Sequence, residues 1–81
     1  MDQLHVRINS PERIIWEGQA ESVSAINSHG TFDILPLHAN FITIIENKPI
    51  KIKTSKEAFE FTFTKSVMYI HKNDVLIYTN I

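Results

Sequence analysis

A two-residue hydrophobic period, interrupted at short regular intervals, constrains this chain more than any other feature. Residues 4–8, LHVRI, set Leu4, Val6 and Ile8 against His5 and Arg7. PIKIK alternates Ile50 and Ile52 with Lys51 and Lys53. AFEFTFT sets Phe59, Phe61 and Phe63 against Glu60 and Thr62. VLIYT sets Val75, Ile77 and Thr79 against Leu76 and Tyr78. Side chains on an extended strand point to opposite faces in turn, so each segment reads as a strand with one face in a core. Turn residues punctuate these runs: Ser10-Pro11-Glu12, Glu17-Gly18, Ser28-His29-Gly30, Pro36, Asn47-Lys48-Pro49, Ser55-Lys56-Glu57 and Lys72-Asn73-Asp74. The pattern predicts an all-β fold, a small antiparallel β-sandwich or flattened barrel of about eight to ten short strands. ANFITIIE reads as a strand buried on both faces, Phe41 and Thr43 against Ile42 and Ile44, with a single helical turn as the alternative. No stretch carries a 3.6-residue period long enough for a full helix.

The chain has 81 residues, so residues 1–81 are expected to form one domain. A chain this short buries only about 60 % of its unfolded surface. That leaves no room for a deep cleft or a separate cofactor domain. There is no cysteine, which excludes disulfides and thiolate metal sites and fits a reducing compartment. The formal net charge is -1, and no basic stripe is present for nucleic acid. Lys48, Lys51, Lys53 and Lys56 read as a solvated face. The N-terminus, MDQLHVRINS, has no apolar block of a secretory signal. Apolar runs fall far short of the roughly 20 residues that span a bilayer. The expectation is a protein that is soluble, or peripheral to a membrane at most.

Catalytic chemistry finds little support. The four histidines, His5, His29, His38 and His71, show no close ligand spacing, and a zinc site needs three or four converging donors. Ser28 and His29 are sequence neighbours, which on a strand would face opposite ways. Two glycines, Gly18 and Gly30, cannot build a phosphate-cradling loop. Asp33, Glu46, Glu57 and Glu60 read as solvated charge. Trp16 could stack on a ligand or anchor an interface, but a partly buried core position is the preferred reading. The residues alone indicate a small, non-catalytic all-β binding module without metal or cofactor.

The stretch EGQAESVSAINSHGTFDILPLHANFITIIE is similar to the N-terminal β-sandwich domain of the F-type ATP synthase epsilon subunit (delta in mitochondria). The residues carrying the likeness are Glu17-Gly18, Gly30, Phe32, Ile34-Leu35-Pro36, His38 and Ala39, and the flanking strands extend it over nearly the whole chain. Several positions depart from the family pattern. Asp33 and Leu37 replace glycines, and Asn40-Phe41 replaces a Pro-Leu pair. A phenylalanine at that place resembles the sodium-type branch. Lys48-Pro49 replaces Pro-Gly, and TFTKSVMYI replaces a segment with paired glycines. Each lost glycine removes an option for positive φ. The resemblance is to a diverged member, or to a paralogue.

The resemblance implies a non-catalytic rotor subunit of the central stalk. It would pack on the gamma subunit and the c-ring and couple ion flow to ATP synthesis at the cytoplasmic face of a bacterial inner membrane, or its organelle equivalent. It implies a gamma-side contact at Ser10, His38, Ala39 and Asn40, and a c-ring contact at Ser28, His29, Gly30 and Thr31. The family usually continues into a C-terminal helical hairpin that can inhibit ATP hydrolysis. The expectation for a sequence ending at Ile81 is a truncation, or a natural short form without that brake. Two rival readings stand beside this one: a free-standing β-sandwich binding module that has lost the motor role, and a small hydrolase using His38 and Asp33.

Overall fold

In a computed structural model describing residues 3–36 and 40–80, the chain forms nine strands. They are β1 (Leu4–Asn9), β2 (Ile14–Ala20), β3 (Ser22–Asn27), β4 (Gly30–Ile34), β5 (Phe41–Ile45), β6 (Pro49–Lys53), β7 (Ala58–Thr62), β8 (Ser66–His71) and β9 (Asp74–Thr79). They make two stacked sheets, one ordered β2-β1-β9-β8-β5 and the other β4-β3-β6-β7. The expected small all-β sandwich is what the strands build. Within it one ladder is parallel, β1 against β9, with Val6 opposite Val75 and Ile8 opposite Ile77. Sequence alternation is blind to strand direction, because parallel and antiparallel partners show the same period.

The alternating residues meet between the sheets. Leu4, Val6, Ile8, Val23, Ile34, Ile45, Ile50, Ile52, Met68, Val75 and Ile77 are all buried. Every one lies on the inward phase of its strand. Burying each such side chain stabilises the fold by about 1.5–3 kcal/mol before the entropy of ordering is charged. The chain changes sheet at Glu21, whose N–H donates to the Lys53 carbonyl at 2.7 Å. It is back in the first sheet at β5.

Two turn expectations meet different outcomes. Glu17-Gly18 is no turn: β2 runs straight through it, with Gly18 opposite Val6. The glycine is needed there for space. A Cβ on Gly18 would lie 3.0 Å from the Trp16 ring, which lies across the backbone and meets Phe59 with ring centres 5.3 Å apart. Trp16 is thus the partly buried core residue its sequence context indicates. At Asn47-Lys48-Pro49 the turn forms with Asn47 at φ 54°, and the Asn47 N–H is shared between the Phe63 and Thr64 carbonyls. Asparagine tolerates the left-handed region better than most residues, so this turn does without a glycine. Pro49 opens β6, where a missing N–H costs the ladder least.

Ser66 is buried at 2 % exposure, and its Oγ has no hydrogen-bond partner. A hydroxyl stranded in a core costs about 1–3 kcal/mol. Ser66→Ala is therefore expected to stabilise the domain by about 1 kcal/mol and raise Tm by about 4–8 °C. Thermal unfolding followed by circular dichroism checks this, and a lower Tm would show that the hydroxyl is satisfied.

Candidate partner-binding surfaces

The residues singled out for partner contact fall in three places. Ser10 closes the turn from β1 to β2. Its N–H donates to the Arg13 carbonyl at 2.9 Å, while its Oγ accepts from the N–H groups of Glu12 and Arg13 at 3.3 and 3.2 Å. The serine builds the turn with its own hydroxyl, and the turn's tip, Pro11–Arg13, is exposed. Asn40 precedes β5, and its Oδ1 accepts the Lys72 N–H at 3.2 Å, pinning the start of β5 to the β8–β9 turn. His38 and Ala39 lie outside the described residues.

Strand register shows how these places relate. Asn9 pairs with Tyr78, near the end of β9, whereas Phe41 pairs with Ile70, near the end of β8 that leads into the β8–β9 turn. Ser10 and Asn40 therefore occupy diagonal corners of the five-stranded sheet, one beyond β1 and the other beyond the edge strand β5. With strands about 4.8 Å apart and rising about 3.3 Å per residue, that separation is on the order of 25 Å.

The third place is the β3–β4 hairpin of the other sheet. Ser28, His29, Gly30 and Thr31 are exposed there and contiguous. The His29 N–H donates to Asn27 Oδ1 at 2.8 Å, and Gly30 adopts φ 122°, a region nearly closed to other residues. Asn27 Nδ2 donates to Thr43 Oγ1 at 2.9 Å, tying the hairpin to β5 across the two sheets. An open groove runs between them, lined by Ile26, His29, Thr43, Glu46 and Lys48 among others.

Of the His38 and Asp33 pair, only Asp33 lies within the described residues. Asp33 stands opposite Ser24 and accepts its hydroxyl at 2.6 Å. Among the described residues no group of three or more histidine or acidic side chains could hold a metal ion. Among the described residues His5 is the most engaged histidine, with Nε2 at 2.9 Å from Glu17 and Nδ1 at 3.7 Å from Asp74. That cluster bridges β2, β1 and β9 on the solvent side of the sheet. No helix among the described residues is long and apolar enough to cross a membrane.

One feature of the surface departs from the sequence reading. Ile42 and Ile44, expected inside a strand covered on both faces, are 63 % and 47 % exposed. Their inward neighbours behave as anticipated: Phe41 packs edge-on against Phe32, and Ile45 is buried. Tyr69 and Tyr78 are also exposed, with ring centres 6.0 Å apart and nearly perpendicular. Val67 stands opposite Tyr78, and Leu76 opposite Tyr69. The outer side of β5, β8 and β9 is thus apolar where a solvated sheet face is ordinarily polar. The signal was present in the sequence, since FITII and VLIYT are apolar in both phases of the alternation.

The family model described as ATP synthase, Delta/Epsilon chain, beta-sandwich domain matches residues 3–81. The ATP synthase epsilon chain of Brevibacillus brevis is 37% identical over 54 residues, covering 67% of this chain and 41% of that one. The chloroplastic epsilon chain of Emiliania huxleyi is 29% identical over 77 residues, covering 95% of this chain and 59% of that one. This chain therefore spans about half the length of these relatives. The fold is shared with a chain of the Tetrahymena thermophila mitochondrial ATP synthase central stalk and c-ring structure, at TM-score 0.82, 14% identity, and coverage of 96% of this chain and 63% of that one. A chain of the Euglena gracilis mitochondrial ATP synthase structure gives TM-score 0.88 at 10% identity, with 98% and 51% covered. With its two stacked sheets and a family match that runs from β1 through β9, the chain belongs to the ATP synthase delta/epsilon chain β-sandwich domain family.

Proposed function

We propose that this domain acts as a non-catalytic rotor element of an F-type ATP synthase central stalk, packing on the gamma subunit and the c-ring. The supporting observation is the family match across residues 3–81. The physical character of the fold agrees with it. Torque transmission asks for a stiff body with contact surfaces, and two densely packed sheets resist deformation. The chain works as one unit, with Ser10, His38, Ala39 and Asn40 toward gamma, and Ser28, His29, Gly30 and Thr31 toward the polar loops of the ring. Its place is the membrane-facing end of the stalk, on the cytoplasmic side of a bacterial inner membrane or the matching side in an organelle.

Co-purification tests this reading. The tagged chain is expected to retain its cognate gamma subunit at micromolar concentration. Failure to bind at about 10 µM, where a Kd of 1 µM corresponds to about -8.2 kcal/mol, would favour a module detached from the motor.

A further inference from the structure

We propose that β5, at the edge of the five-stranded sheet, pairs with β5 of a second copy of this chain, antiparallel across a two-fold axis at Thr43, so that two sheets join into one. The pairing is read from this chain alone and does not depend on the stalk reading.

The sandwich has four edge strands, β2 and β5 in one sheet, β4 and β7 in the other. An edge strand presents a row of unpaired N–H and C=O groups, and native proteins guard it with charge, proline, a bulge or a cover. Three of the four edges are guarded. β2 carries Glu17, and its ladder to β1 shifts register between Ile8 and Asn9. β4 carries Asp33, and β7 carries Glu60. β5 reads FITII, with no charge, proline or glycine, and its ladder to β8 stays in register from Phe41 to Ile45. Among the described residues no backbone group bonds to its other side. The β3–β4 hairpin reaches β5 through the Asn27 side chain on Thr43, and an open groove lies along the strand there. A row of free backbone groups is satisfied by another extended chain.

The residues of β5 are complementary to themselves. In antiparallel pairing about Thr43, Ile42 stands opposite the partner's Ile44, and Ile44 opposite the partner's Ile42. The isoleucines exposed in the single chain then cover one another on the outer side of the joint. On the inner side Phe41 meets the partner's Ile45, an aromatic and β-branched pair that favours a ladder. Asn40 falls opposite the partner's Glu46, so no like charges oppose each other. Slipping the pairing by one residue sets outward side chains against inward ones. Slipping it by two sets Ile42 against the partner's Glu46, or Ile44 against the partner's Asn40. The contact is isologous and uses up the one unguarded edge of each copy, so assembly stops at the dimer.

Sedimentation of the purified chain between about 10 µM and about 1 mM tests the pairing, since a contact smaller than a standard interface dissociates in that range. The mass is expected to rise from 9.4 kDa toward twice that value. Ile42→Lys and Ile44→Glu are each expected to weaken self-association by about tenfold or more, with unchanged circular dichroism, because both positions are exposed in the single chain. Mixed in equal amounts, the two variants are expected to associate with each other. The register sets the new lysine of one against the new glutamate of the other and leaves isoleucine against isoleucine at the second site. Tyr78→Lys, on the outer side of β9 and two strands from the edge, leaves association unchanged. A chain that stays monomeric at about 1 mM, or two variants that fail to associate when mixed, overturns the pairing. Loss of association in Tyr78→Lys would set the copies face to face and overturn it as well. A monomeric chain whose β5 amides exchange more slowly only when gamma is added would give the edge to another protein's strand, with the same consequence.

Discussion

Replacing Ile77 by alanine is expected to remove a large part of the free energy that keeps this domain folded. Ile77 lies fully buried on β9. On one side of it is Met68 of β8, and on the other is Ile8 of β1. It therefore stands where the parallel ladder and an antiparallel ladder share a strand. Truncating a buried isoleucine costs about 2–5 kcal/mol, because the transfer free energy of the lost carbons is joined by the cost of the cavity left behind. At about 0.05–0.15 kcal/mol per residue, an 81-residue chain has only about 4–12 kcal/mol in total. The urea midpoint, followed through the fluorescence of the single tryptophan, is expected to fall by about 1 M or more. The control is one residue away. Leu76 is on the same strand but turned outward and only partly covered, so Leu76→Ala should cost the isolated domain about 1 kcal/mol or less. Equal losses at the two positions would contradict the inward and outward assignment of β9.

The contrast between Ile77 and Leu76 also marks what the sequence alone could convey. Alternation identified the inward phase of β1, β6 and β7 correctly, because burial of one face is written directly into the residue order. It could not identify which strands are neighbours. The β1–β9 pairing joins residues near the two ends of the chain, and only the folded register reveals it. For the same reason Ser10 and Asn40, assigned by resemblance to one contact side, are found at opposite corners of a sheet. Where both phases are apolar, as in FITII, the pattern has no means of separating a second buried face from an exposed one awaiting a partner. In the sequence, Ile42 and Ile44 therefore read as covered. The loss of family glycines had smaller consequences than expected where it can be seen: Asp33 lies in extended β4, pairing with Ser24, and Asn47 supplies the positive φ of its own turn.

Gly18 is the clearest case of a glycine whose role is legible only in three dimensions, and it supports a prediction in which one substitution changes sign with its background. Next to an acidic residue, a glycine reads as turn punctuation. Here it is an extended residue of β2 roofed by the Trp16 ring, with Cη2 and Cζ2 at 3.0 and 3.1 Å from where a Cβ would stand. The ring cannot easily retreat, since Phe59 lies against it and the core lies beneath. Gly18→Ala is thus expected to destabilise the domain by about 1–3 kcal/mol through overpacking. Trp16→Ala removes the roof at a cost of about 3–5 kcal/mol. In that background the methyl group meets no ring, and alanine's smaller loss of backbone freedom gives it an advantage of about 0.5–1 kcal/mol over glycine. Gly18→Ala should then be neutral or stabilising. The coupling between the two positions amounts to about 1–3 kcal/mol, the range found for residues in direct contact. Urea unfolding followed by far-ultraviolet circular dichroism measures all four members of the cycle, since fluorescence is lost with the tryptophan. Sulfate in the buffer keeps the weaker variants folded at the start of the titration. Additive effects would mean that Trp16 does not cover Gly18, and the close approach that explains a glycine in the middle of β2 would have to be given up.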